Sequence, residues 1–593
     1  MIRDLIFANE NCVGCNQCVR ICKSFGASIS MSDTGKSAIG INHDRCIVCG
    51  ACIDVCRHNA RDYCDDTEAF FADLENGEEI TVLVAPAFEA KYPEAFGLYM
   101  TALRALGVKR IIPVSFGADI CTWAYIKTIE RTGQVGSIST PCPTVVSYIE
   151  RWMPELIDKL VPIKSPLMCM ATYCRKELGM TEKFAFISPC IAKRLEMDKY
   201  PDLVQYNVTF PRLAKKLSAY LETHQLEPAG IEAMDAGLGS FYPAPGGLAD
   251  NVRWLMGDDT PIRIISGKTY LYQRFAENRV NIFDSQFPYM LFDALNCREG
   301  CIEGSAKPDD ARREAVGLLK IGEIRKRSKN TDPASPWNPS LTCEERWENM
   351  ERQFAHLKVE DYAASFEDRS ELCAVTFPTE EEADEIYNSM HKHTPASRQV
   401  NCASCGYDTC EHMMVAIYNG FNTRYNCVYF EKEEALHLMK MSYSDELTGV
   451  MNRNALENNW MRAFKADAPA AVISVDVNGL KQVNDLFGHS EGDRLIVGTG
   501  EALAHIFRKD RVFRTGGDEF LVLLGDYEES EIESNMSYVK KYLHDMGIYV
   551  SMGLSYVEKY RDNFGEMKEI ADKKMYEDKE QFYVTTGHPR RKV

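Results

Sequence analysis

At 593 residues the chain is long enough for several domains of about 100–200 residues each. A hydrophobic share of 45% and an aromatic share of 10% suit ordinary globular cores, while a formal charge of −19 argues against a phosphate-backbone partner, so no nucleic-acid binding is expected. No run approaches the roughly 18 apolar residues of a membrane span, and the start Met1-Ile2-Arg3-Asp4-Leu5 carries no apolar signal region, so the expectation is a cytoplasmic chain without a membrane segment. Sixteen of the 22 cysteines fall into metal-type spacings, which in a reducing compartment mean metal rather than disulfides.

Residues 1–64 contain Cys12-x2-Cys15-x2-Cys18-x3-Cys22 and then Cys46-x2-Cys49-x2-Cys52-x3-Cys56, an internal repeat of one spacing. Closely spaced thiolates can wrap a cubane, and the fourth Cys of each run ligates the other cluster. Cys12, Cys15, Cys18 and Cys56 are therefore expected on one [4Fe–4S] cluster, and Cys46, Cys49, Cys52 and Cys22 on a second. The segment resembles bacterial two-cluster ferredoxins, with Lys23 and Arg57 where that family has proline. A pair of zinc sites is the competing reading.

Across 65–370, Ile80–Ala87, Ile111–Val114 and Phe184–Ile187 read as buried strands, and Ala95–Leu106 and Val145–Leu160 as helices. The alternation predicts α/β layers. Cys142, Cys190 and the pair Cys297-x3-Cys301 fall in loops after strands; taken singly, each is more simply a packed thiol. Their order behind a ferredoxin module, with Phe116-Gly117-Ala118-Asp119, resembles the cluster-binding loops of [FeFe]-hydrogenases. That resemblance implies a cubane on Cys142, Cys190, Cys297 and Cys301, with Cys301 bridging to a diiron subsite if one is bound and Lys193 contacting that subsite.

The departures matter as much. The family's proton-relaying cysteine is Pro141 here, its acidic pair falls near Ala124 and Tyr125, Ser188 and Asn296 replace family residues, and the last glycine-rich loop is reduced. Fast hydrogen turnover needs a relay of groups with matched pKa, so weak or absent hydrogenase activity is expected. The diiron subsite stays open: Lys193 and Cys301 argue for it, the eroded loops against. Cys169-x4-Cys174 is read as packed thiols, with an alternative ligand or proton donor as the rival reading.

In 371–430, Cys402-x2-Cys405-x4-Cys410-x16-Cys427 resembles the small four-cysteine [4Fe–4S] domain of electron-transfer proteins, with zinc as the rival; Glu411–Tyr418 reads as a helix and Gly420 ends it. The linker 431–446 belongs to a helix read over 428–444. Tyr429, Leu436, Met439 and Tyr443 fit a and d positions and Lys432 does not. This is a plain connector or a signalling helix that pairs with a second copy.

Residues 447–593 begin beside Asp445-x-Leu447-Thr448-Gly449. A buried strand ends in Asp476-Val477, and Arg514-Thr515-Gly516-Gly517-Asp518-Glu519-Phe520 forms a hairpin. Two strands that deliver carboxylates at a turn can hold Mg²⁺ against a triphosphate, and glycines let backbone approach phosphate. The segment resembles the GGDEF family of diguanylate cyclases, a ferredoxin-like or palm-like α/β fold that joins two GTP. The resemblance implies Mg²⁺ on Asp476, the Val477 carbonyl, Asp518 and Glu519, with Asp518 or Glu519 activating the 3′-hydroxyl. It implies guanine contacts from Asn484 and Asp493, phosphate contacts from Lys481 and Lys579, and a substrate contact at Leu480. Arg508 stands one residue out of register for the family's inhibitory Arg-x-x-Asp, and Tyr583 replaces a phosphate-side arginine.

The expected architecture is multidomain α/β: a two-cluster ferredoxin module, an iron hydrogenase-like domain, a four-cysteine [4Fe–4S] domain and a palm-like GGDEF domain. The expected cofactors are four [4Fe–4S] clusters, a diiron subcluster if bound, and Mg²⁺. The expected partners are GTP, an electron donor or acceptor such as a ferredoxin or hydrogenase, and a second copy in a homodimer. The expected activity is a redox- or gas-responsive diguanylate cyclase; the alternatives are a degenerate nucleotide-binding domain and a slow sensory hydrogenase.

Overall fold

The computed structural model describes residues 4–30, 38–232, 237–306 and 313–586; Met1–Arg3, part of the start read above for an export signal, lie outside them. The chain divides into two compact units, one ending at Val428 and the other beginning at Tyr429. No helix among the described residues is long and apolar enough to cross a membrane.

In the first unit the cysteine repeat folds into two short helices, Gln17–Ile21 and Ala51–Val55, with Ile6–Ala8 paired antiparallel to Arg61–Tyr63 and Ser28–Ser30 to Ile39–Ile41. Four parallel strands follow in the order Arg110–Pro113, Ile80–Val84, Lys183–Ser188, Tyr206–Thr209. A smaller parallel sheet runs Ile262–Ser266, Leu291–Leu295, Ser137–Ile138. Every residue of Ile80–Val84 and of Leu291–Leu295 is buried, as expected of parallel strands covered on both faces.

Two predicted boundaries move, both because of proline. The strand expected to run to Ala87 stops at Val84, since Pro86 opens a helix at its first turn, where a missing N–H costs nothing. The helix expected over 145–160 runs only Pro143–Trp152, and Pro154 diverts the chain into a tighter turn, Pro154–Lys159. The helix Cys410–Tyr418 matches the predicted one, capped by Thr409, whose hydroxyl accepts from the His412 N–H at 3.1 Å.

The second unit begins within the helix Val428–Tyr443, on which Leu436, Leu438, Met439 and Met441 are exposed. Its sheet has the order Met451–Asn452, Val512–Gly516, Glu519–Gly525, Ala470–Val477, Val550–Val557. All but the first pairing are antiparallel. The interior strand Ala470–Val477 is buried throughout, and the helix Phe564–Thr586 packs on the sheet, where the Ser474 hydroxyl donates to Asp572 at 2.6 Å.

Candidate functional site

Two constellations stand out, one in each unit. In the first, Cys190 lies two residues beyond Lys183–Ser188, Cys297 two beyond Leu291–Leu295, and Cys142 precedes the helix Pro143–Trp152 as its cap. The carboxyl ends of parallel strands are where open α/β sheets bind ligands, and here ends from both sheets meet around one cavity. Cys142, Cys190, Cys297 and Cys301 line it together with Pro141, Lys193, Asn296 and Asp293. Burial pushes the Cys301 thiol up to about 12, with Cys142 and Cys190 adding to the shift and Lys193 opposing it. Cys142 is pushed up by burial and then by Cys190; Cys297 is pushed up by burial, with Lys268 opposing and Cys190 and Cys142 adding to the shift. Four desolvated thiols in mutual range suit a cationic iron core, which takes them as thiolates.

Lys193 lines this cavity, but its ammonium is engaged at the rim. It donates to the Pro141 carbonyl at 3.1 Å, to the Ser165 hydroxyl at 2.9 Å and to Glu196 at 2.7 Å. Burial works against its charge, but Glu196, Cys190 and Cys301 outweigh burial and hold its pKa above the ordinary lysine value. Sequence reasoning missed Glu196, although the i, i+3 spacing on one short helix was a signal for it. Ala124 and Tyr125 are buried, and the Tyr125 hydroxyl sits 2.5 Å from that of Thr140. Cys169 and Cys174 are buried and line no part of the cavity; the Cys169 and Cys121 thiols both point at the Lys164 carbonyl, at 3.4 Å.

In the cysteine repeat, Cys22 of the first run lies in electrostatic range of the second. Burial raises Cys22 to about 12, and the charges acting on it next are those of Cys49 and Cys46. Cys46 also rises to about 12 through burial, Cys52 and Cys49. Cys18 instead feels Cys12 and Cys15 after burial and the Arg61 guanidinium, which donates to its sulfur at 3.2 Å. In the four-cysteine segment, burial lifts Cys405 to about 11, with Cys427 and Cys402 adding to it; Cys410 is buried beside them in sequence order. As the side chains stand, no three His, Cys, Asp or Glu among the described residues are gathered closely enough to hold a single ion.

In the second unit Asp476, on the strand Ala470–Val477, sits directly opposite Glu519, next to the two-residue turn Gly517-Asp518. Gly517 takes φ 52°, a left-handed conformation that a two-residue hairpin demands. The Val477 N–H donates to the Asp518 carbonyl at 3.1 Å. Lys579, on the helix Phe564–Thr586, places its ammonium 2.5 Å from Asp476. Burial raises the Asp476 carboxyl to about 6; Lys579 pulls it down, and Asp518 and Glu519 push it further up. Asp518 and Glu519 lie in electrostatic range of the buried Asp476; the hard oxygens of this donor set suit Mg²⁺ in kind, and the three carboxylates would have to turn inward to share one ion.

Leu480 and Lys481 occupy the first turn of the helix Leu480–Phe487, Lys481 exposed. One turn on, the buried Asn484 Oδ1 has no hydrogen-bond partner, leaving an acceptor for a ligand N–H. Asp493 is exposed in the next helix, His489–Phe507. Arg508 at φ 72° pairs with Asp510 at 3.2 Å, and Tyr583 lies one turn beyond Lys579.

Sequence reasoning gave no role to the residues that pin the hairpin. Arg514 donates twice to the Gly517 carbonyl, at 3.0 and 2.8 Å, and reaches both Asp445 oxygens, at 3.0 and 3.2 Å. Asp445 also accepts from the Thr448 N–H and hydroxyl at 2.9 and 2.7 Å. Burial works against the Asp445 charge, yet these donors hold its pKa below the usual carboxylate value. Asp445-x-Leu447-Thr448-Gly449 is thus the abutment of the turn.

Both units match known protein families. Residues 78–305 match the iron only hydrogenase large subunit, C-terminal domain; 442–582 match the diguanylate cyclase, GGDEF domain; and 11–60 match the 4Fe-4S dicluster domain. Iron hydrogenase 1 of Clostridium pasteurianum is 25% identical over 397 residues, covering 54% of this chain and 68% of that one. Diguanylate cyclase DgcP of Escherichia coli K12 is 29% identical over 174 residues, covering 27% of this chain and 51% of its own length, so the chain spans about half of that relative. A variant of [FeFe]-hydrogenase HydA1 from Chlamydomonas reinhardtii aligns with TM-score 0.38 and 13% identity, over 52% of this chain and 100% of that one. The chain is a fusion of a 4Fe-4S dicluster domain and an iron hydrogenase-like domain to a GGDEF diguanylate cyclase domain.

Proposed function

We propose that the chain is a diguanylate cyclase, joining two GTP into cyclic di-GMP with release of two pyrophosphates, under the control of its iron–sulfur region. The observation that carries the reading is Asp476 facing Glu519 across the strand pair beside the Asp518 turn, with the Lys579 ammonium on Asp476. Asp476, the Val477 carbonyl, Asp518 and Glu519 would hold Mg²⁺, which when bound neutralises phosphate charge and favours the 3′-oxygen as nucleophile. The chain's own groups do the rest. Asp518 or Glu519 takes the 3′-hydroxyl proton, Lys579 and Lys481 meet phosphate oxygens, and Asn484 and Asp493 meet the guanine edge. One domain holds one GTP, so the two substrates face each other only when two copies pair, and the exposed Leu436 and Met439 of the linker helix suit that pairing.

The sensory half holds, in this reading, clusters on Cys12/Cys15/Cys18/Cys56, Cys46/Cys49/Cys52/Cys22, Cys142/Cys190/Cys297/Cys301 and Cys402/Cys405/Cys410/Cys427. Pro141 at the cavity wall has no proton to relay, and the Lys193 ammonium is already bonded at the rim, so hydrogen turnover is weak or absent. The test is anaerobic cyclic di-GMP formation from Mg²⁺-GTP at poised potentials, under hydrogen and under argon. A rate that moves with potential supports control by the clusters, and one that moves with hydrogen at fixed potential supports a bound diiron subsite. A rate indifferent to both, with full iron content, overturns the regulatory reading.

Arg514 gives a narrower test. Arg514→Ala frees the Gly517 carbonyl and is expected to slow cyclisation by about 10-fold or more, because small displacements of reacting groups are costly. Arg514→Lys is expected to recover part of the rate, and circular dichroism to show both variants folded.

A further inference from the structure

The cysteine shell of Cys46, Cys49, Cys52 and Cys22 touches two other cysteine sites, from opposite ends. At the Cys49 end, Asn296 Nδ2 donates to the Cys49 carbonyl at 3.3 Å and lies 3.7 Å from the Cys297 sulfur. Lys268, paired with Asp54, is in electrostatic range of both Cys297 and Cys49. At the Cys22 end, the Cys22 thiol donates to the Ser24 carbonyl at 3.3 Å. The next ring, Phe25, sits 5.5 Å from Tyr407 and 5.8 Å from Phe421. Tyr407 is in electrostatic range of both Cys405 and Cys22.

This second contact is built closely. A Cβ on Gly26 would lie 2.6 Å from the Phe421 ring, and one on Gly406 would lie 2.7 Å from Val19. Arg45, adjacent to Cys46, seals the junction. Its guanidinium donates to the Phe25 carbonyl at 2.8 Å, to Cys373 at 2.9 Å and to Ala374 at 3.0 Å, and lies 4.5 Å over Phe421.

We infer that the Cys46/Cys49/Cys52/Cys22 site is a branch point for electrons. One branch crosses Asn296 to the cubane cavity; the other crosses Phe25 and Tyr407 to the Cys402/Cys405/Cys410/Cys427 site, whose last ligand immediately precedes the helix Val428–Tyr443. Each transfer moves one electron: the branch-point cluster is oxidised by one, the receiving cluster is reduced by one, and no bond or proton changes. A low-potential one-electron donor supplies the electron. The four-cysteine site can thus be charged without passage through the cubane cavity, so it reports electron supply whether or not that cavity is occupied. This inference rests on the reading of Cys402–Cys427 as an iron–sulfur site.

The test uses the full chain with clusters reconstituted anaerobically and reduced with dithionite, read by electron paramagnetic resonance and by iron and zinc analysis. In the unaltered protein, spin–spin splitting between the branch-point cluster and the four-cysteine cluster is expected. Cys410→Ala should lose about four irons and with them that splitting, leaving the ferredoxin signals narrow. Gly26→Leu should keep its iron and narrow the splitting without abolishing it, since the added side chain meets the Phe421 ring and wedges the two sites apart. If Gly26→Leu loses iron, the comparison with Cys410→Ala decides alone. A spectrum that is the plain sum of isolated clusters overturns the branch. Iron short by four with zinc present in the unaltered protein overturns the iron reading of the site, and the branch with it.

Discussion

Asp518→Ala is expected to lower cyclic di-GMP formation by more than about 10²-fold, the scale on which one electrostatic group in a transition-state site acts, with the second unit still folded. The separation of activity from stability follows from the geometry. Asp518 is anchored through its main chain, because its carbonyl accepts from the Val477 N–H at 3.1 Å, and alanine keeps that bond. Its side chain is half-exposed in the turn, so truncation opens no core cavity. Its charge adds to the upward push on Asp476, so its removal relieves repulsion and leaves Lys579 better matched to Asp476. The variant should therefore be no less stable to denaturant than the parent and yet inactive. Product quantified by chromatography at saturating Mg²⁺-GTP checks the loss. A variant that turns over at the parent rate would sink the assignment of the hairpin as the reaction centre. Asp518→Asn, which keeps the shape and removes the charge, should resemble Ala in rate.

The parts of the molecule legible in the sequence are those where chemistry is local. The repeat of four cysteines pointed Cys22 toward the second run, because the fourth Cys of such a run ligates the other cluster, and the charges acting on Cys22 are those of Cys49 and Cys46. The strand ending in Asp476 and the Gly517-Asp518 turn were legible because a buried apolar run and a glycine pair each have one physical use there. Boundaries at Pro86 and Pro154 were misplaced by weighing apolar runs above the missing N–H. What could not be read were side-chain partners brought together from distant segments: Asp445 with Arg514, Arg45 with Cys373, Asn296 with Cys49. Each pair is separated by dozens to hundreds of residues, and no periodicity encodes such a meeting. Lys193 is instructive in the same way, since its place on the cavity wall was predicted and its three rim partners were not.

Asp119 yields the second large effect, on stability. It is fully buried in the helix Ser115–Thr132, and its two oxygens accept separate backbone N–H groups, from Gly237 and from Gly239, each at 2.7 Å. Burial drives its carboxyl up to about 8, while the two N–H groups pull the other way. In the unfolded chain the same group titrates near the usual value of about 3.9. The folded state therefore holds a proton that the unfolded state has released between about pH 4 and pH 8. The stability this proton confers is complete below about pH 4, declines as pH rises through that window, and is gone above about pH 8, with a limiting slope of about 1.4 kcal/mol per pH unit. Asp119→Asn cannot ionise, so its stability should be free of that slope. It also turns an amide donor toward one of the two N–H groups and loses about 1–3 kcal/mol at all pH. The deficit of Asp119→Asn relative to the parent should accordingly be large at pH 5 and shrink toward pH 8. Asp119→Ala, which strands both N–H groups in the core, should lose about 2–6 kcal/mol. Denaturant midpoints of the first-unit transition, taken across pH 5 to 8 on cluster-loaded protein, check this. Parallel pH profiles for parent and Asn variant would show that Asp119 is ionised in the fold and that its two amide donors outweigh its burial.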